Sequence, residues 1–435
     1  MKKLLSEYGM VLVLIVLCVF FSLKTLKRES SSGASAVARV VEKVSKSFTK
    51  GDSILVAGAV RKDSGEFAEE VSAALKDAGY SSVRTVVGTP RDLRVAIDEM
   101  SASKASPLAL ISGGDVAGWT VVESLPADLP DLEMMVPSGR LVSDFLKRSN
   151  LLAIVDRIVV IAVIAIGMTL VILTGGIDLS VGSLLALSAV IGTLVMKAMG
   201  GLEAGPVAVW VGFAAGIVSC GLIGAFGGAL VAWFRVAPFI TTLAIMMIAR
   251  GLAFKLTGGF SIYQVPESLL WLGQGTSFGI PNTVLVLVIL FLAAHLFMSH
   301  TRFGRYIYAV GGNEEAARLS GVPVKAILIG VYVVAGLCAG FGGCIQASQL
   351  NSGAPNLGMM FELYVIAAVV VGGTSLSGGS GKIFGTLIGA FIISVIQNGM
   401  NLMGFESYTQ YIVLGAVILA AVLLDKFRGN VRLYA

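Results

Sequence analysis

Twice in this chain an apolar run ends on the same signature, and that repetition restricts the fold more than any other feature. The first run closes on Thr174-Gly175-Gly176-Ile177-Asp178-Leu179-Ser180-Val181-Gly182-Ser183, the second on Val371-Gly372-Gly373-Thr374-Ser375-Leu376-Ser377-Gly378-Gly379-Ser380. Both read Gly-Gly-x-x-Leu-Ser-x-Gly-Ser, and a further apolar stretch follows each. Lipid offers the backbone no hydrogen-bond partner, so peptide groups freed by a broken helix must face protein or a water-filled cavity. Corresponding interruptions in two halves of one chain are the sequence mark of a path through the membrane built on an internal repeat. The pattern points to a conduit and away from a simple anchor.

Charge is distributed to match. Residues 29–150 carry 14 Lys+Arg and 17 Asp+Glu, whereas the rest of the 435-residue chain, more than twice as long, carries 18 and 10. One chain thus holds a segment of ordinary soluble polarity and a strongly apolar body. The net charge of +5 comes from loops between apolar runs, so no nucleic-acid partner is expected. Cys18, Cys220, Cys338 and Cys344 all lie in apolar stretches, where a thiol acts as a small hydrophobe. With only His295 and His300 available, neither a metal site, a cofactor nor histidine acid–base chemistry is expected.

Met1-Lys2-Lys3 and the run Tyr8 to Leu23 fit two readings, a secretory signal cleaved among Ser30 to Ala38 or a retained first span. The retained span is the expectation, giving an N-terminal span over 1–28. Over 29–137, strand runs at Ser53–Ala57, Val83–Val87 and Leu108–Ser112 alternate with helical periodicity at Glu66–Ala78 and Asp92–Met100. That alternation predicts a small α/β domain with a mostly parallel sheet. Gly58 to Gly65 has neither dinucleotide nor phosphate-loop spacing, so the domain reads as a docking or binding module. Over 138–428 apolar spans fall at about 151–173, 181–199, 206–234, 238–256, 282–299, 325–346, 361–373, 383–402 and 408–425, and a short tail covers 429–435. With the first span these make about ten. The expected fold class is an α-helical polytopic membrane protein with an inserted small α/β extracytoplasmic domain.

Orientation follows the short loops. Arg302, Arg305, Arg318, Lys325, Lys426, Arg428 and Arg432, with Lys2, Lys3, Arg235 and Lys382, fall on one side by alternation and mark it as cytoplasmic. Both termini are then cytoplasmic and the α/β segment is extracytoplasmic. Lys24, Lys27 and Arg28 argue the other way, but large soluble domains cross largely regardless of charge.

Gly167 to Ser183 closely resembles the permease subunit of ribose-type sugar ABC importers. Three further stretches resemble the same family in the same order: Thr301-Arg302-Phe303-Gly304-Arg305-Tyr306, then Gly311 to Gly321, then Ala367 to Gly389. The likeness covers the first span and about Ser138 to Phe427, and the insertion between them is the departure. The resemblance implies an α-helical pore subunit of the inner membrane that pairs with a second copy and is embedded in lipid. A cytoplasmic ABC ATPase would drive it, and an extracytoplasmic sugar-binding protein would feed it. The chain itself would not be an enzyme. Ser377 to Ile383 fails as a phosphate loop, because Leu376 replaces its first glycine and Ile383 its Ser/Thr. A nucleoside or another small polar solute stays open as the cargo. An ion-coupled secondary transporter is the weaker rival, since Asp156, Asp178 and Glu362 are nearly all the carboxylates the spans offer.

Two sets of positions carry the expected function. The first lines the path: Thr174, Gly175, Gly176, Asp178, Ser180, Thr241, Gly372, Gly373, Ser375, Gln397 and Asn401. A neutral sugar needs hydrogen-bond partners more than fixed charge, and hydroxyls and amides supply them. The plainer alternatives are that Asp178 or Ser180 caps the next helix and that the amides bind helix to helix. The second set is the ATPase-coupling loop: Arg302, Gly312, Asn313, Glu314, Ala316, Ala317, Arg318, Ser320 and Gly321. A short helix with a small apolar face, polar tips and a glycine stop suits docking in a groove. Arg250 and Lys255 are expected to snorkel to an interface. The Gly/Pro-rich loops 257–281 and 347–360 are expected to face the donor protein.

Overall fold

The computed structural model describes residues 2–29, 33–60, 62–102, 109–128, 132–137 and 140–433. Ser30–Ser32, Leu108, Ser138 and the last two residues, on which sequence expectations fall, lie outside them. The chain divides into two compact units, Met1–Lys24 with Phe145–Ala435, and Thr25–Asp144.

Helix α1 (Lys2–Lys24) leads into the smaller unit. There β1 (Leu26–Glu29) is followed by α2 (Ala34–Ser47), β2 (Ile54–Ala59), α3 (Asp63–Asp77), β3 (Val83–Gly88), α4 (Pro90–Ala102), β4 (Ala109–Ser112), α5 (Gly114–Ala117), α6 (Thr120–Asp128), β5 (Glu133–Met135) and β6 (Arg140–Ser143). The chain enters and leaves side by side, because β1 pairs antiparallel with β6 from Leu26↔Ser143 onward. The other strands form a parallel sheet of order β3-β2-β4-β5. Strand β2 is buried along its whole length, as the unbroken apolar run Ile54–Ala59 requires of a strand covered on both faces. Ile54 and Val56 pack with Phe67, Val71 and Leu75 on one face; Leu55 and Ala57 pack with Leu93, Ile97 and Leu125 on the other.

The larger unit continues through α7 (Arg148–Leu173), α8 (Val181–Ala198), α9 (Pro206–Phe234), α10 (Pro238–Thr257) and α11 (Leu270–Gly273), then the hairpin β7 (Thr276–Ser277) and β8 (Ile280–Pro281). It ends with α12 (Asn282–His300), α13 (Arg302–Gly312), α14 (Glu314–Leu319), α15 (Val324–Leu350), α16 (Phe361–Val371), α17 (Ile383–Leu402) and α18 (Ser407–Leu433). Among the described residues seven helices are long and apolar enough to cross a membrane: α7, α8, α9, α10, α12, α15 and α17. Three shorter apolar helices add to them, Gly9–Lys24, Phe361–Val371 and Ser407–Leu423. At 11 residues α16 is ~16 Å long, half of a hydrocarbon core.

Helix α7 is central, with every residue from Ile158 to Leu173 buried. Glycines bring α9 and α15 into backbone contact: a Cβ on Gly340 would lie 2.9 Å from the Ile217 Cα, and one on Gly228 2.9 Å from the Ile329 Cα. Close approach of this kind is how helices gain attraction where lipid competes for apolar surface.

Candidate functional site

Both apolar runs end in a Schellman motif, which satisfies carbonyls that a helix terminus leaves free. At the end of α7, Gly175 N–H donates to the Ile172 carbonyl at 2.9 Å and Gly176 N–H to the Val171 carbonyl at 3.0 Å. At the end of α16, Gly373 N–H donates to the Val370 carbonyl at 2.9 Å and Thr374 N–H to the Val369 carbonyl at 3.2 Å. The left-handed residue is the first glycine of one pair (Gly175, φ 79) but the second of the other (Gly373, φ 89). The two sequence repeats are therefore offset by one residue in space. They also differ in length, since α8 begins at Val181 while α17 waits until Ile383.

The first break is held from inside. Asp178 is 2% exposed and its carboxylate accepts from Ser180 N–H at 2.8 Å and Ser180 Oγ at 2.6 Å. Ser180 occupies the N-cap of α8 without a side-chain capping bond. Thr242 of α10 clamps the same turn, accepting from Leu179 N–H at 3.1 Å and standing 3.2 Å from the Ile177 carbonyl. Thr174 Oγ1 bonds back to Val171 O, and Thr241 Oγ1 to Ala237 O. Both therefore serve their own helices. Ser375 meets Ser377 hydroxyl to hydroxyl at 2.9 Å inside the second break, and Gly372 packs on Gly385 and Thr386.

Arg250 is tied to protein backbone. Its Nη1 donates to the Pro355 carbonyl at 2.7 Å and the Leu357 carbonyl at 2.6 Å. Those carbonyls belong to residues 351–360, expected from sequence as an outward loop. Ser352, Gly353, Ala354, Pro355, Leu357 and Gly358 are buried instead, with Gly353 against Ala189 and Thr193 and Gly358 against Gly182 of α8.

Gln397 and Asn401 line a cavity of about 850 Å³ between the ends of α7, α15, α16, α17 and α18. Sequence reasoning missed most of its wall: Asp156, Arg157, Gln274, Gln349, Tyr364, Gln410 and Tyr411 also line it. One signal was available, because Gln346 with Gln349 and Gln397 with Asn401 recur at helical spacing on one face of otherwise apolar helices. Gln410 Nε2 donates to Asn401 Oδ1 at 2.7 Å, and Asp156 accepts from Thr283 Oγ1 at 2.6 Å. Asn398 lies outside this cavity and pairs amide to amide with Asn150, at 2.9 and 3.1 Å.

The segment 302–321 forms two short helices. Thr301 caps α13 by accepting from Gly304 N–H at 3.1 Å, and Asn313 caps α14 by accepting from Ala316 N–H at 2.9 Å. Gly321 (φ 81) ends α14 in a third Schellman motif, with Val322 N–H bonded to the Ala317 carbonyl at 3.0 Å. Ala317 is buried against the body while Arg302, Gly312, Asn313, Glu314, Ala316, Arg318 and Ser320 are exposed. Leu319 presents its side chain to the outside at 81% exposure. Arg318 is paired with Glu315 at 2.5 Å.

Comparison with known proteins gives the family. One protein family, described as branched-chain amino acid transport system / permease component, matches residues 150–422. The ribose import permease protein of Escherichia coli (strain K12) is 46% identical over 286 residues, 65% of this chain and 87% of that protein. Its counterpart in Bacillus subtilis (strain 168) is 42% identical over 284 residues, 65% and 86% of the two chains. The L-arabinose ABC transporter permease protein of Azospirillum brasilense is 35% identical over 329 residues, 75% and 95%. No solved structure matches at a significant level.

Proposed function

This chain belongs to the family of branched-chain amino acid transport system permease components, and we propose on that premise that it is the translocating subunit of an ATP-driven importer of a monosaccharide such as ribose. It is a multi-pass protein of the inner membrane and a permease subunit. The observation that carries the reading is its 46% identity to a ribose import permease across 87% of that protein. The chemistry of the 850 Å³ cavity supports it: amides, tyrosine rings and the neighbours Asp156 and Arg157 offer donors and acceptors beside apolar wall. A sugar, with a rim of hydroxyls and apolar ring faces, needs that mixture.

In this reading ATP hydrolysis belongs to a separate subunit that docks on α14, where Leu319 is free to enter a groove. Both termini are cytoplasmic and Thr25–Asp144 is extracytoplasmic. A sugar-binding protein delivers cargo at that domain and at the exposed aromatics of the loop 258–281, among them Tyr263, Trp271 and Phe278. A second copy completes the pore within the lipid. Cargo meets Gln397 and Asn401 first and then passes the glycine breaks at Gly175–Gly176 and Gly372–Gly373.

The test is labelled-ribose uptake into proteoliposomes holding the chain, its ATPase and its sugar-binding protein. Uptake should require ATP and the ATPase. Gln397→Ala or Asn401→Ala should raise the KM about 2- to 10-fold, the weight of one lost hydrogen bond. Uptake driven by an ion gradient without ATP would sink the proposal. Stronger competition by nucleosides than by pentoses would redirect the cargo class.

A further inference from the structure

Three glycine-bearing segments, distant in sequence, meet at one point of the larger unit. The second break reaches back to the first: Gly379 N–H donates to the Leu173 carbonyl at 2.9 Å, the last residue of α7. The C-terminal end of α13 lies against the same carbonyl. A Cβ on Gly311 would strike Leu173 O and stand 2.6 Å from Gly379 N. One on Gly378 would stand 2.9 Å from Gly311 O and 3.1 Å from both Gly175 N and Leu173 O. One on Gly379 would stand 2.9 Å from the Gly312 Cα. All these neighbours are backbone atoms, which cannot swing aside as a flexible side chain does. Gly378 (φ 84) and Gly379 (φ 73) are also left-handed, the conformation that lets the second break fold back into this contact. One side chain adds a strut, as Tyr308 Oη of α13 donates to the Gly381 carbonyl at 2.9 Å.

We infer that Gly311, Gly378 and Gly379 form a backbone-to-backbone joint through which α13 moves both helix breaks as one unit. Close-packed backbone has discrete arrangements and little compliance, so displacement at α13 is passed on without being absorbed. The three glycines are positioning residues: each acts by what it allows to approach. Neither break alone reads as part of such a joint, because its partners lie more than sixty residues away in sequence.

The inference rests on the permease reading, so the experiment separates the two. The complete complex of permease, ATPase and sugar-binding protein is reconstituted, and ribose uptake and ATP hydrolysis are measured together. Gly311→Ala is the test and Gly251→Ala of α10 its control, since a Cβ on Gly251 meets nothing within 4 Å. Gly311→Ala should cut sugar moved per ATP about tenfold or more, the range of a typical coupling energy, while ATPase binding stays intact. Gly251→Ala should match the unaltered protein. Should Gly311→Ala fail to reach the membrane, Tyr308→Phe removes only the strut and should lower the same ratio about threefold or more, a loss near one hydrogen bond. Unaltered sugar per ATP in whichever of the two is read overturns the joint. Absence of ATP-driven uptake in the unaltered complex overturns the permease reading instead.

Discussion

Replacing Arg250 by methionine tests how irregular backbone is tolerated inside the larger unit. Residues 351–360 run without regular structure along α8, from the level of Thr193 to that of Gly182, ~16 Å at 1.5 Å per helical residue. Such a segment survives away from water only if its peptide groups find protein partners. Gly353 exchanges two bonds with Ile262, at 2.8 and 3.0 Å, and Arg250 supplies the carbonyls of Pro355 and Leu357. A hydrogen bond from a charged donor contributes about 1.5–3 kcal/mol, and two from one nitrogen fall short of additivity, so the clamp amounts to about 3 kcal/mol. Methionine keeps much of the side-chain volume and removes both donors. If the segment opens locally, its amides should exchange about a hundredfold faster in Arg250→Met. The reporters are Leu357 N–H, bonded to Ala354 O, and Phe361 N–H, bonded to Gly358 O. The assay is hydrogen–deuterium exchange by mass spectrometry in nanodiscs. Arg250→Lys, a point charge without the planar fork, should fall between the two. Exchange over 352–361 unchanged within about twofold in Arg250→Met would refute the clamp.

Two further outcomes follow from single groups. Tyr332 is buried at the first break and its Oη has no hydrogen-bond partner among the described residues, so Tyr332→Phe should leave stability unchanged or raise it by about 1 kcal/mol; a thermal unfolding midpoint in detergent that drops clearly would show that the hydroxyl is engaged. In the smaller unit, Thr89 donates to Asp92 Oδ2 through N–H and Oγ1, both at 2.7 Å, and these bonds hold the Asp92 carboxyl below its ordinary range. A folded pKa below the unfolded one contributes stability above the ordinary carboxylate value of about 4, lost as pH falls through the folded pKa. Asp92→Asn should therefore flatten the acid side of the unit's stability profile, and an unchanged acid limb in pH-dependent unfolding would count against that assignment.

The places where helices stop were legible because the stop is local. A Gly-Gly pair after an apolar run announces a left-handed terminus, and the chain forms one at Gly175 and at Gly373. What the repeat could not disclose is its one-residue offset, because either glycine of a pair can take the left-handed position and the following loop decides which. In the second break that loop is five residues longer, and its added length carries Gly378 and Gly379 back to Leu173. Residues 351–360 show the same limit from the other side. Their Asn, Gly and Pro composition fits a solvent loop equally well, and the partners that satisfy the buried segment, Ile262 and the helical residue Arg250, lie about a hundred positions earlier. Once the segment descends beside α8 to Gly182, α16 must begin deep within the unit. Eleven residues then suffice to bring Val371 to the second break, so the half-length of α16, the buried loop and the position of that break are one structural fact. Hydropathy registers α16 as another apolar run; the partner of its preceding loop is what makes it half a span.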